Sequence, residues 1–101
     1  MSIRGKLLMG RKARPKPKRL AEKLLRIREA LGLSQSEIFR RLDVEEFSEV
    51  KRISDYETGK SEPPLPVLLQ YARVAGVCVE TLIDDKLNLP AKLPAKPKHK
   101  A

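Results

Sequence analysis

Apolar residues recur along the middle of the chain at helical spacing. Leu20, Leu24, Ile27 and Leu31 fall at i, i+4, i+7 and i+11, one face of an amphipathic helix, and Gly32 supplies its stop. Next comes Ser34-Gln35-Ser36-Glu37, an S-x-x-E capping box in which Ser34 caps a helix and Glu37 at N3 reaches back to it. Leu33 at N′ and Ile38 at N4 can close a hydrophobic staple over that end. This second helix is expected from Gln35 to about Leu42, with Ile38, Phe39 and Leu42 inward. Arg52-Ile53-Ser54-Asp55-Tyr56-Glu57-Thr58 reads as the last turns of a third, stopped by Gly59.

Pro63 and Pro64 mark a loop, after which Leu65 and Pro66 open a fourth helix, where proline is tolerated in the first turn. Leu65, Leu68, Leu69 and Ala72 are its expected apolar stripe, and Gly76 closes it. Residues 77–83 read as a short fifth helix whose Val79, Leu82 and Ile83 cover the core. No segment alternates with the period of a strand, and no internal repeat is visible. The pattern predicts an all-α fold of five helices within residues 20–83.

The two ends differ from this middle. At 101 residues the chain makes one small domain at most, and its net charge of +9 is unevenly spread. Residues 1–19 carry eight basic and no acidic side chains, residues 20–83 nine basic and eleven acidic, and residues 84–101 five basic and two acidic. The first segment has no periodicity and too few apolar groups to offset ordering entropy, so a disordered basic arm is expected. The last, Pro/Lys-rich from Leu89 to Lys98, is expected to be a disordered or extended tail. Basic tails are the electrostatic footprint of a nucleic-acid binder, although a solvated tail that aids solubility has the same composition.

The helix opened by Leu33-Ser34-Gln35-x-Glu37, followed by one closing Ile53-Ser54-x-Tyr56-Glu57-x-Gly59-Lys60, strongly resembles the Cro/C1-type (XRE-like) helix-turn-helix family of DNA-binding proteins. The resemblance covers roughly residues 20–83. It implies a compact five-helix, lambda-repressor-like domain whose third helix lies in the major groove while the second crosses the backbone. The base-facing candidates it implies are Val50, Lys51, Arg52, Ser54 and Asp55. Lys51 and Arg52 suit guanine O6 and N7, or else phosphate; Val50 suits a thymine methyl; Asp55 suits cytosine N4, or orients Arg52. Ile53 and Tyr56 are implied to pack inward, and Glu57 to tie its helix to neighbouring backbone or basic groups. Gln35 and Lys60 are implied phosphate contacts, and Arg11 or Arg14 of the arm would contact phosphate or enter the minor groove.

One stretch departs from the family. Where a tight glycine turn is usual, this chain has Asp43-Val44-Glu45-Glu46-Phe47-Ser48-Glu49, longer by roughly four residues, close to one turn of α-helix. Asp43-x-x-Glu46 is itself a capping signature, so the simplest expectation is a third helix that starts one turn early, near Val44. Against that, Val44, Phe47, Val50 and Ile53 step by three and drift around a straight helix, which favours a break near Ser48. The four carboxylates of the insert must face away from phosphates or serve another partner.

Other chemistry is sparse. Cys78 is the single cysteine, which excludes an intramolecular disulfide; it is expected as a small buried thiol at the cap before the last helix. His99 is the single histidine, so a metal site built from protein ligands is not expected, nor is any cofactor. Asp84 and Asp85 are adjacent and read as a solvated surface. No phosphate loop or Ser/His/Asp grouping can be assembled, so no enzyme is expected. No run is long enough to span a membrane, and Leu7-Leu8-Met9 is too short for a signal-peptide core. The expectation is a cytoplasmic, nucleoid-associated regulator, a repressor in its simplest form, that binds duplex DNA as a homodimer. Two alternatives put the main partner elsewhere: an antitoxin paired with a toxin protein, or an adaptor that contacts transcription machinery.

Overall fold

Helical capping signals set the boundaries of five α-helices in the computed structural model, which describes residues 17–94. They are α1 (Leu20–Leu31), α2 (Gln35–Leu42), α3 (Val50–Thr58), α4 (Leu65–Ala75) and α5 (Val79–Ile83). Among the described residues there is no strand, and no helix is long and apolar enough to cross a membrane. Gly32 takes the left-handed conformation (φ 71°) that ends α1, and the Leu33 N–H then donates to the Arg28 carbonyl at 3.1 Å. Gly76 ends α4 in the same way, with Val77 N–H on the Ala72 carbonyl at 3.0 Å. The capping box is formed in both directions: Ser34 Oγ accepts from the Glu37 N–H at 3.1 Å, and Glu37 Oε1 accepts from the Ser34 N–H at 2.8 Å.

The core draws on every helix. Leu24, Ile27 and Leu31 of α1, Ile38 and Leu42 of α2, Ile53 of α3, Val67 and Tyr71 of α4 and Leu82 of α5 are all fully buried. Helix α3 packs against both α1 and α2, while α5 packs against α4 and α1.

Three expectations about this packing are corrected. On α4 the buried face is Val67, Leu68, Tyr71, Ala72 and Ala75, whereas Leu65 is 77% exposed and Leu69 is also exposed. Leu65 and Leu69 lie one turn apart on the edge of a helix apolar over most of its circumference, so periodicity alone could not choose the face. Ile83, at the end of α5, is likewise exposed, leaving Leu82 as the fully buried residue there. Cys78 is exposed as well: it precedes α5 in extended conformation, and its thiol neither caps the helix nor enters the core.

Packing continues beyond residue 83. Leu89 and Leu93 lie partly buried against the core. The Asp85 carboxylate accepts the backbone N–H groups of Lys18 and Arg19 at 2.9 and 3.0 Å, and the Arg19 guanidinium donates to the Asp85 carbonyl at 2.9 Å. These bonds hold the Asp85 carboxyl below its ordinary range. Beside this bracket Lys23 is 1% exposed, its Nζ donating to the Thr81 and Asp84 carbonyls at 2.8 and 2.9 Å. Burial is the main influence lowering its pKa. Lys23 thus caps the C-terminal end of α5, sharing the Asp84 carbonyl with the Leu87 N–H.

Candidate nucleic-acid interface

Besides its core residues Ile53 and Tyr56, helix α3 is held by one largely buried ion pair. The Glu57 carboxylate, 4% exposed, accepts from Arg28 Nε at 2.6 Å and from Arg28 Nη2 at 3.1 Å. Arg28 Nη1 donates to the Leu33 carbonyl at 3.0 Å, and Gln35 Nε2 donates to Glu57 Oε1 at 3.2 Å. One carboxylate on α3 therefore gathers α1, the turn after it and the first residue of α2. The hydrogen bond that Arg28 donates to Glu57 raises the Arg28 pKa above its ordinary value. The tie implied for Glu57 is present, and its main partner is a residue that sequence reasoning did not select. Arg28 is 29 positions away, and only its place on α1 opposite α3 brings it near. Gln35 is turned toward Glu57, so its amide positions the hairpin.

With Ile53, Tyr56 and Glu57 buried, the outer face of α3 is left to the remaining residues. Val50, Lys51, Arg52 and Ser54 are exposed, Asp55 is half-buried, and Lys60 is exposed just past the helix. Lys51 Nζ lies 3.3 Å from Glu49 Oε1, and Arg52 Nη1 lies 3.7 Å from Asp55 Oδ2 one turn along the helix. Asp55 thus has the orienting geometry for Arg52 that its spacing allowed. All five base-facing candidates stand on one short helix, and Gly59 (φ 82°) closes it beside Ala21 of α1. Arg11 and Arg14 lie outside the described residues.

The insert resolves into a separate turn. Asp43 ends α2 in the left-handed conformation (φ 56°), which aspartate tolerates better than most residues. Val44 is buried, and its carbonyl accepts from Phe47 N–H at 2.8 Å and Ser48 N–H at 3.0 Å, an isolated helical turn. Glu49 is then extended (φ −130°, ψ 156°), so α3 begins at Val50. The expected start near Val44 is corrected, and the break near Ser48 is where the three-residue spacing put it. The Ser48 and Tyr56 hydroxyls meet at 2.7 Å and pin the turn to the far end of α3. The turn leaves Phe47 52% exposed beside the exposed carboxylates of Glu45, Glu46 and Glu49.

The arrangement presents a short helix with a polar, partly basic outer face, buttressed from behind and exposed over its first turns. A family model described as helix-turn-helix matches residues 24–80. A chain of a solved structure described as a complex of SinR protein and SinI protein superposes with a TM-score of 0.58 at 25% sequence identity. The match covers 66% of this chain and 62% of that one, so it spans less than two thirds of the other chain's length. No curated protein matches.

Proposed function

The chain belongs to the Cro/C1-type helix-turn-helix family of DNA-binding transcription regulators, and from that premise we propose that it is a repressor that reads a near-palindromic duplex operator as a homodimer. The observation that carries this reading is the exposed outer face of α3, held at its back by the Arg28–Glu57 pair. Lys51 and Arg52 would meet guanines, Val50 a thymine methyl, and Asp55 would hold Arg52 in register. Lys60, with Arg11 and Arg14 of the arm, would contact phosphate, adding affinity without sequence information. A two-fold dimer would place matched helices about one DNA turn apart. The exposed side chains of Ile83 and Leu87 are the apolar groups we assign to its interface. A protein partner is the second reading, supported by the similar structure, which contains two different proteins.

Titration of matched and single-mismatch duplexes with the Arg52→Ala variant tests the assignment. Loss of about 1–3 kcal/mol on the best site, with relaxed preference at one base pair, is the expected result. Equal weakening on every duplex would make Arg52 a phosphate contact and overturn its role as a reader.

A further inference from the structure

Two hollows lie along the flank of α3 that carries Arg52 and Tyr56, and they adjoin, because Tyr56, Ser61 and Glu62 line both. One starts at Pro17 and Lys18, where the basic arm enters the fold, and passes Ala21, Gly59 and Pro63. The other ends at the inserted turn, between Glu45, Glu46, Phe47 and Glu49. The track thus has exposed carboxylates and Phe47 at its far end and the root of the arm at its near end. The sequence outside the described residues on that side, 1–16, carries six basic side chains and no acidic one.

We infer that this track is the docking site, in the DNA-free protein, of the chain's own basic arm, with residues 11–16 laid along α3 toward the inserted carboxylates. Length permits it. Ten residues of helix, from Glu49 to Gly59, rise about 15 Å, while six extended residues reach about 20 Å. Composition permits it as well: residues 11–16 carry four basic side chains and no acidic one, opposite in sign to the inserted turn. At the far end, Arg11 and Arg14 have an exposed phenyl face in Phe47 and three exposed carboxylates as partners. The bracket between Asp85 and the Lys18 and Arg19 backbone fixes the point from which the arm departs. Docking would neutralise the carboxylates beside the reading helix and hold the arm off non-specific phosphate until a duplex displaces it. The inference concerns the free protein and does not depend on which DNA it reads.

The test is paramagnetic broadening in the full chain, with a nitroxide on the Ala13→Cys variant in a Cys78→Ser background. At roughly 20 mM salt, where charges act over about 20 Å, the amides of residues 45–49 at the far end of the track should lose most of their intensity. Combined Glu45→Gln, Glu46→Gln and Glu49→Gln substitutions on this exposed turn should restore it, as should roughly 0.5 M salt, where the screening length falls to about 4 Å. Full intensity at low salt, or broadening that survives removal of the three charges, would overturn the inference. So would broadening that appears only between a nitroxide-bearing and a separate isotope-labelled molecule, since the occupant would then be a second copy.

Discussion

Replacing Glu57 with alanine removes the single carboxylate that joins α3 to α1 and α2. Glu57 is nearly fully buried and accepts three hydrogen bonds, two from Arg28 and one from Gln35. Its loss leaves a guanidinium that is 19% exposed without a counter-ion. Breaking a buried pair by removing one partner costs about 3–5 kcal/mol. Arg28 keeps its bond to the Leu33 carbonyl and some access to water, so the lower end, about 3 kcal/mol, is expected. In a domain stabilised by about 5–10 kcal/mol this is a large fraction. With a slope of about 1.5 kcal/mol per molar urea, the midpoint followed by far-UV circular dichroism should fall by about 2 M. Arg28→Met strands the carboxylate instead and should cost a similar amount. The double variant Arg28→Met/Glu57→Leu leaves no buried charge and should cost clearly less than the two single losses together. A loss below about 1 kcal/mol for Glu57→Ala would place the pair with solvent-screened surface bridges and refute the buttressing role assigned to it.

Two further outcomes follow from named contacts. Ser48→Ala and Tyr56→Phe each delete one end of the bond that pins the inserted turn. Each should lower stability by about 1 kcal/mol, and the double variant by little more than one of them, in urea melts; simple addition would mean that the hydroxyls do not depend on each other. Asp85 carries a lowered carboxyl pKa because it accepts the Lys18 and Arg19 N–H groups. Its contribution is therefore present above the ordinary carboxylate value and is lost as pH falls through the lower folded-state value. Protection of the Lys18 and Arg19 amides, measured against the intrinsic exchange rate at each pH, should be lost only in that acid window, and should be absent at every pH in the Asp85→Asn variant. Protection that changes with neither pH nor substitution would show that the bracket does not hold the arm's root.

Much of the fold was legible because its signals are local. The S-x-x-E box and the glycines at 32, 59 and 76 mark helix ends through backbone requirements that few other residues meet, and all three glycines are left-handed in the structure. The face of α4 was not legible, because Leu65, Val67, Leu68 and Leu69 crowd its start and only the packing of α1, α2 and α5 against it decides which of them is covered. Lys23 was missed for a related reason: its burial depends on two carbonyls 58 and 61 residues away. The end of α2 carried no glycine signal, since Asp43 takes the left-handed role itself. At the candidate interface the exposed residues of α3 followed from the motif, while Arg28 and the exposed Phe47 emerged only once the helices were packed.

The central claim, that α3 reads duplex sequence, is tested most directly by selection from random duplex DNA with the full chain at about 150 mM salt, which suppresses purely electrostatic binding. An enriched near-palindrome is expected, whose preference at one base pair in each half-site disappears with Arg52→Ala. Absence of any motif, together with weak and steeply salt-dependent binding, would contradict the claim and leave the basic tails as the only DNA-binding elements.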